Sequence, residues 1–135
     1  MMVIDCSAAL EMAQKSIRGQ AFAALMAEEG KIIAPSLYPI EAVNAAWKYV
    51  HAGHLSEGQA KQLAEFALAL PDEIVPADDL LKEALTQGIR ADHSIYDMVY
   101  MVLARRHGAT LLTNDRKLQD LCLQNGVDVI FETSL

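Results

Sequence analysis

Four carboxylates stand where a short apolar run gives way to a turn or a helix start: Asp5, Glu41, Asp97 and Asp115. Asp5 closes Met2-Val3-Ile4, and Asp115 follows the run from Ala109 to Leu112 by way of Thr113-Asn114. Glu41 and Asp97 lie near the first turn of apolar helical stretches. In an open α/β sheet, ligands bind beyond the carboxyl ends of the strands. Four acids distant in sequence could therefore converge there. At about 5 Å and an effective dielectric near 20, each like-charge pair costs about 3 kcal/mol, so an ionised cluster needs protons or cations. Hard oxygen donors around an open pocket suit Mg²⁺ or Mn²⁺.

Each acid also has a purely structural reading. Asp97 comes three residues after Ser94 and could complete a capping box; Asp115 could cap a helix starting near Arg116; Glu41 could complement a helix dipole. Asp5 is the hardest to explain that way, because a carboxylate at the edge of a buried strand requires a partner. Ser7, two residues on, could cap a short helix or point into the same site, and Asn44 shares one side of its helix with Glu41.

The element that must position Asp97 and Asp115 is the stretch Ser94 to Asp115, SIYDMVYMVLARRHGATLLTND. Ile95, Met98, Val99, Met101, Val102, Leu103 and Ala104 leave almost no polar face, which predicts a buried helix stopped by Gly108, then a covered strand. Met2-Val3-Ile4 predicts a first strand. Ser16 to Glu29 predicts a helix packed through Ile17, Ala21, Ala24 and Leu25, and Lys31 to Ala34 a second strand. Tyr38 to Ala52 predicts a helix with Pro39 in its first turn and an inner face of Val43, Trp47 and Val50. Ser56-Glu57-Gly58-Gln59 is a capping box for a helix that Pro71 ends, with a stripe of Ala60, Leu63, Ala64, Ala67 and Leu68. Glu73 to Pro76 predicts a short strand, Asp78 to Gly88 a helix, Lys117 to Asn125 a last helix with Leu118, Leu121 and Cys122 inward, and Val127 to Phe131 a final strand. Alternating strands and helices predict a three-layer α/β/α sandwich around a mostly parallel sheet, in one domain over residues 1–135.

With 135 residues, 53% of them apolar, the chain can bury one core and is too short for two. No window resembles a membrane span or a secretory signal, so the expected compartment is the cytoplasm and no membrane partner is expected. Cys6 and Cys122 form no paired motif and read as small buried hydrophobes. A net charge of −7 argues against general nucleic-acid binding. An acidic protein acting on RNA needs local compensation, for which Lys15, Arg18, Lys48, Arg90, Arg105, Arg106, Arg116 and Lys117 are the candidates. His51 and His54 read as exposed helix-end residues, and His93 is the histidine near the acids. Tyr96 and Tyr100 flank Asp97, where packing and base stacking are the two readings.

V-I-D-C-S-A-A-L, A-P-S-L-Y-P-I-E-A-V-N-A, S-I-Y-D-M-V-Y-M-V-L-A and A-T-L-L-T-N-D-R-K-L, in this order, resemble the blocks of a PIN domain, specifically a VapC-type toxin ribonuclease. The resemblance spans nearly the whole chain and is loosest between Glu73 and Asp92. It implies that Asp5, Glu41, Asp97 and Asp115 are the family's four acidic positions, with Ser7, Asn44 and Thr113 lining or bracing the pocket. It further implies a ribonuclease using one or two Mg²⁺ or Mn²⁺ ions to cut RNA phosphodiesters, with Asp5, Asp97 and Asp115 as ligands and Glu41 as ligand or water-positioning group. A homodimer, and an antitoxin covering the pocket with a basic side chain, are implied as partners.

Two other acidic α/β classes fit worse. A response-regulator receiver requires adjacent acids after the first strand, and a haloacid-dehalogenase-like phosphatase a second aspartate where Ser7 stands. The non-enzyme alternative is a PIN-like RNA- or protein-binding module without cleavage.

Overall fold

The computed structural model describes residues 1–130. Four short strands, β1 (Met2–Ile4), β2 (Ile32–Pro35), β3 (Glu73–Val75) and β4 (Thr110–Leu112), form a sheet in the order β3-β2-β1-β4. All its pairings are parallel. β1 and β2 are buried at every residue, as strands covered on both faces must be.

Between β1 and β2 run α1 (Cys6–Ala13) and α2 (Ile17–Glu28), and between β2 and β3 run α3 (Leu37–His51) and α4 (Glu57–Ala69). A 3₁₀ turn (Asp78–Leu80), α5 (Leu81–Ala91) and α6 (Ile95–His107) lead back to β4, and α7 (Arg116–Gln124) follows it. Right-handed crossovers put α1 to α4 on one face of the sheet and α5 to α7 on the other. The packing agrees: α1 meets α2, α3 and α4, while α6 meets α5, α7, β1, β2 and β4. The chain is the expected three-layer α/β/α sandwich. Its sheet changes direction of growth between β1 and β4, and the carboxyl ends of those two strands deliver Asp5 and Thr113.

α6 is the centre of the core, with Met98 to Ala104 buried without interruption. Each large apolar side chain there contributes about 1.5–3 kcal/mol of burial. Gly108, at φ +58°, takes the left-handed turn that stops the helix. The Ser56–Gln59 capping box forms as expected, and the Tyr38 hydroxyl donates to the Ala67 carbonyl at 2.6 Å, tying α3 to α4.

The inner faces of two helices differ from expectation. α3 turns Tyr38, Ala42 and Ala46 inward and leaves Val43, Trp47 and Val50 exposed. α2 packs through Gly19 and Phe22, with Ile17 and Ala24 exposed. In each, one aromatic side chain, Tyr38 or Phe22, is buried together with small residues, Ala42 and Ala46 or Gly19, that let the helix lie close. On α4, Ala60 and Ala67 are buried and Leu68 is exposed. The short helix after β1 forms as α1 with Asp5, not Ser7, as its N-cap, and residues Asp78–Leu80 form a 3₁₀ turn ahead of α5. The expected last strand is a single parallel bridge from Leu111 to Val129, and Phe131 lies outside the described residues. Both cysteines are free thiols.

Candidate active site

Asp5 is the N-cap of α1 and only 6% exposed. Its Oδ1 accepts from the Ala8 amide at 3.0 Å and the Ser7 hydroxyl at 2.7 Å, and its Oδ2 accepts from the Thr113 hydroxyl. Each hydroxyl has one proton, so with Asp5 ionised both protons are committed to it. The 3.2 Å contact between Ser7 and Thr113 then lacks a hydrogen. The two hydroxyls also bind the β4–α7 loop: the Asn114 amide donates to Ser7 Oγ at 2.8 Å, and the Asp115 amide to Thr113 Oγ1 at 3.1 Å. Burial is the main influence on the Asp5 carboxyl and pushes it up to about 6, the nearby Asp97 charge adding to the rise against the three hydrogen bonds.

Glu41 lies on α3, and its Oε1 accepts from the buried Tyr100 hydroxyl of α6 at 2.5 Å. Burial raises the Glu41 carboxyl above the usual range; Tyr100 opposes the rise, Asp97 adds to it and Lys48 opposes it. Asp97, in the first turn of α6, faces His93, with 2.7 Å between Oδ2 and Nε2. His93 is the more enclosed partner, its side chain 8% exposed against 29%.

Asp5, Glu41 and Asp97 thus share one electrostatic neighbourhood, in which Asp97 acts on both of the others. Asp115 sits beside it in a different role. As N-cap of α7 it accepts through Oδ1 from the Lys117 amide at 2.9 Å and the Leu118 amide at 3.2 Å. Thr113 is fully buried between the two aspartates. Asn44 is exposed on the outer side of α3. Among the described residues, no three His, Cys, Asp or Glu side chains close on a common point that would hold a metal.

Tyr100 and His93 give two of the carboxylates their orientation. Only His93 has a signal in the sequence, standing four residues before Asp97; the spacing of Tyr100 says nothing of Glu41, which it meets from another helix. A further brace was missed. Asn114 receives the Arg18 guanidinium on its Oδ1 at 2.5 Å and donates to Glu11 Oε1 at 3.3 Å, so α1 and α2 both grip the loop after β4.

A sequence model described as "PIN domain" matches residues 2–123, which is most of the chain. The chain belongs to the PIN domain family. Ribonuclease VapC3 of Pyrobaculum aerophilum is 28% identical over 123 residues, covering 88% of this PIN domain and 92% of that protein. Among solved structures, PAE2754 from Pyrobaculum aerophilum superposes with a TM-score of 0.74 at 23% identity, covering 95% of this chain and 82% of that one. Mycobacterium tuberculosis VapC20, described as a toxin cleaving the sarcin–ricin loop, gives a TM-score of 0.66 at 18% identity, with 89% and 94% covered. VapBC2 from Rickettsia felis, solved bound to a promoter DNA fragment, gives 0.67 at 16% identity, with 96% of each chain covered. At these identities the solved structures speak for the PIN fold. No helix of this PIN domain, among the described residues, is long and apolar enough to cross a membrane.

Proposed function

We propose that this PIN domain is a metal-dependent endoribonuclease and the toxin of a toxin–antitoxin pair, working in the cytoplasm. The observation behind this reading is the coupling of Asp5 and Glu41 to Asp97 at the carboxyl edge of the sheet, two of the three acids being raised mainly by burial. Carboxylates held in that state gain most from a cation. Mg²⁺ keeps much of its water and takes one or two carboxylates, so an arrangement in which no three acids of the described residues meet suits a hydrated Mg²⁺ or Mn²⁺ that Asp5 and Asp97 would hold, with Glu41 and Asp115 reaching it through water. A bound ion supplies positive charge for the scissile phosphate and for the departing 3′ oxygen.

The remaining work falls to the chain itself. Ser7 and Thr113 fix the Asp5 oxygens, and His93 fixes Asp97. Tyr100 fixes Glu41, whose raised carboxyl is suited to take a proton from the attacking water at Oε2 while Oε1 holds the tyrosine. Asn44 stands where it would touch substrate rather than metal, on the exposed side of α3.

RNA is the substrate in this reading, as the name of the VapC3 relative states for that protein. An antitoxin is the expected partner, in line with the VapBC2 and FitAB assemblies among the structural neighbours. A homodimer would cover Leu81, Leu85 and Ile89, which α5 holds out at 50%, 52% and 71% exposure. The test is incubation with a panel of structured RNAs in Mg²⁺, Mn²⁺ or chelator, alongside Asp5→Asn and Asp97→Asn. Cuts that need the metal and disappear in both folded variants are expected. Cleavage that survives chelation would refute the mechanism, and RNA binding without any cleavage would establish the binding module.

A further inference from the structure

Resting on the ribonuclease reading, we propose that the groove between α1 and α3 is the track for the RNA strand leaving the active site, with Lys48 as its phosphate contact. The groove has a volume of about 390 Å³ and is lined by Leu10, Ala45, Lys48, Tyr49, Ala52 and His54. It runs along the side of α3 that carries Glu41. Ala45, Lys48 and Ala52 follow Glu41 by four, seven and eleven residues, so they continue its side of α3, and Leu10 follows Cys6 by four on the facing side of α1. From Glu41 to Ala52 the helix runs about 16 Å at about 1.5 Å per residue, long enough for more than one nucleotide.

Charge decides the occupant. The chain has a net charge of −7 and its acids repel phosphate, so a strand entering the site needs a cation beside them. Arg105 and Arg106 are engaged by Glu83, and Arg18 by Asn114. The Lys48 ammonium, on an exposed residue of the groove lining, instead bears electrostatically on both Glu41 and Cys6. Along the floor, Leu10, Ala45 and Ala52 offer apolar contact and Tyr49 a ring for a base. The Tyr49 hydroxyl is held by Gln14 Nε2 at 3.0 Å, so the ring is fixed from the α1 side. Ala45 and Ala52, two turns apart, leave room for a chain to lie between the helices on either side of Lys48 and Tyr49.

The test is fluorescence anisotropy with a labelled single-stranded RNA in chelator, where cleavage is silent, over a series of salt concentrations. Lys48→Gln is compared with the parent, Lys48→Arg and Ala52→Glu; all alter exposed positions, and circular dichroism confirms their folding. Losing one phosphate contact lowers the slope of log K against log salt by about 0.7 for a single strand. Lys48→Gln should show that drop with a several-fold weaker Kd, Lys48→Arg should restore both, and Ala52→Glu should weaken binding from the far end. In steady-state cleavage at a pH above the acid limb of the rate profile, where Glu41 is ionised with or without Lys48, Lys48→Gln should raise KM more than it lowers kcat. An unchanged slope and Kd in Lys48→Gln would overturn the groove while a cleaving parent upholds the ribonuclease. A parent that neither binds nor cuts RNA would overturn both. Loss of a protein partner with RNA binding intact would assign the groove to protein docking and overturn the proposal.

Discussion

Replacing Asp5 by asparagine should make the protein more stable at neutral pH as it removes the activity. The Asp5 carboxyl rises from 3.8 to about 6 in the folded chain, so at about 1.4 kcal/mol per pH unit its ionisation costs the fold about 3 kcal/mol. Between about pH 4 and pH 6 the folded state binds more protons than the unfolded one. Stability therefore falls as pH rises through that window, and the full penalty is present above it. The introduced amide side chain would keep an oxygen acceptor for the Ala8 amide and the Ser7 hydroxyl, and its nitrogen could donate to Thr113. Thr113 would then turn its own proton to Ser7, 3.2 Å away. Imperfect geometry there gives back about 1 kcal/mol. The net gain for Asp5→Asn is thus about 2 kcal/mol at pH 7.5, turning into a loss of about 1 kcal/mol near pH 4, where the parent's carboxyl is protonated. Urea titrations followed by circular dichroism, in chelator at half-unit steps of pH, measure it directly. Two parallel pH profiles, or a variant less stable than the parent at pH 7.5, would refute the assignment of Asp5 as a buried carboxylate held at a cost.

Two further substitutions probe the supports. Tyr100→Phe removes the hydroxyl that stabilises ionised Glu41; it should cost about 1.5–3 kcal/mol in denaturant titrations and move the acid limb of the pH–rate profile upward, since Glu41 then ionises at higher pH. Gly19→Ala would put a Cβ 1.9 Å from the Glu11 carbonyl oxygen. It should force α1 and α2 apart, cost at least about 1–3 kcal/mol in thermal melts and lower activity through the Arg18–Asn114 brace.

Much of this could be read before folding. Short apolar runs ending in Asp5 and Asp115, and a helix apolar on every side around Asp97, have few solutions other than a covered parallel sheet with a buried helix. The faces of the outer helices could not be read in the same way. On α3, periodicity fits Val43, Trp47 and Val50 as well as it fits Ala42 and Ala46, and only the closeness of approach to the sheet and to α4 selects the alanines. Site partners that reach across the sheet, Tyr100 to Glu41 above all, depend on tertiary placement that no local pattern encodes. Asp115 shows the opposite case: its local reading as a helix cap is visible in the structure, while its role toward an ion belongs to the proposal.

The first turn of α1 hangs from a single oxygen of Asp5, which holds both the Ala8 amide and the Ser7 hydroxyl. Any ligand drawn to that atom competes with a backbone amide and a serine for the same lone pairs. A ligand bound through that oxygen would therefore loosen the start of Cys6–Ala13. A protein tightened at that helix end would hold the oxygen back from any cation that approached it.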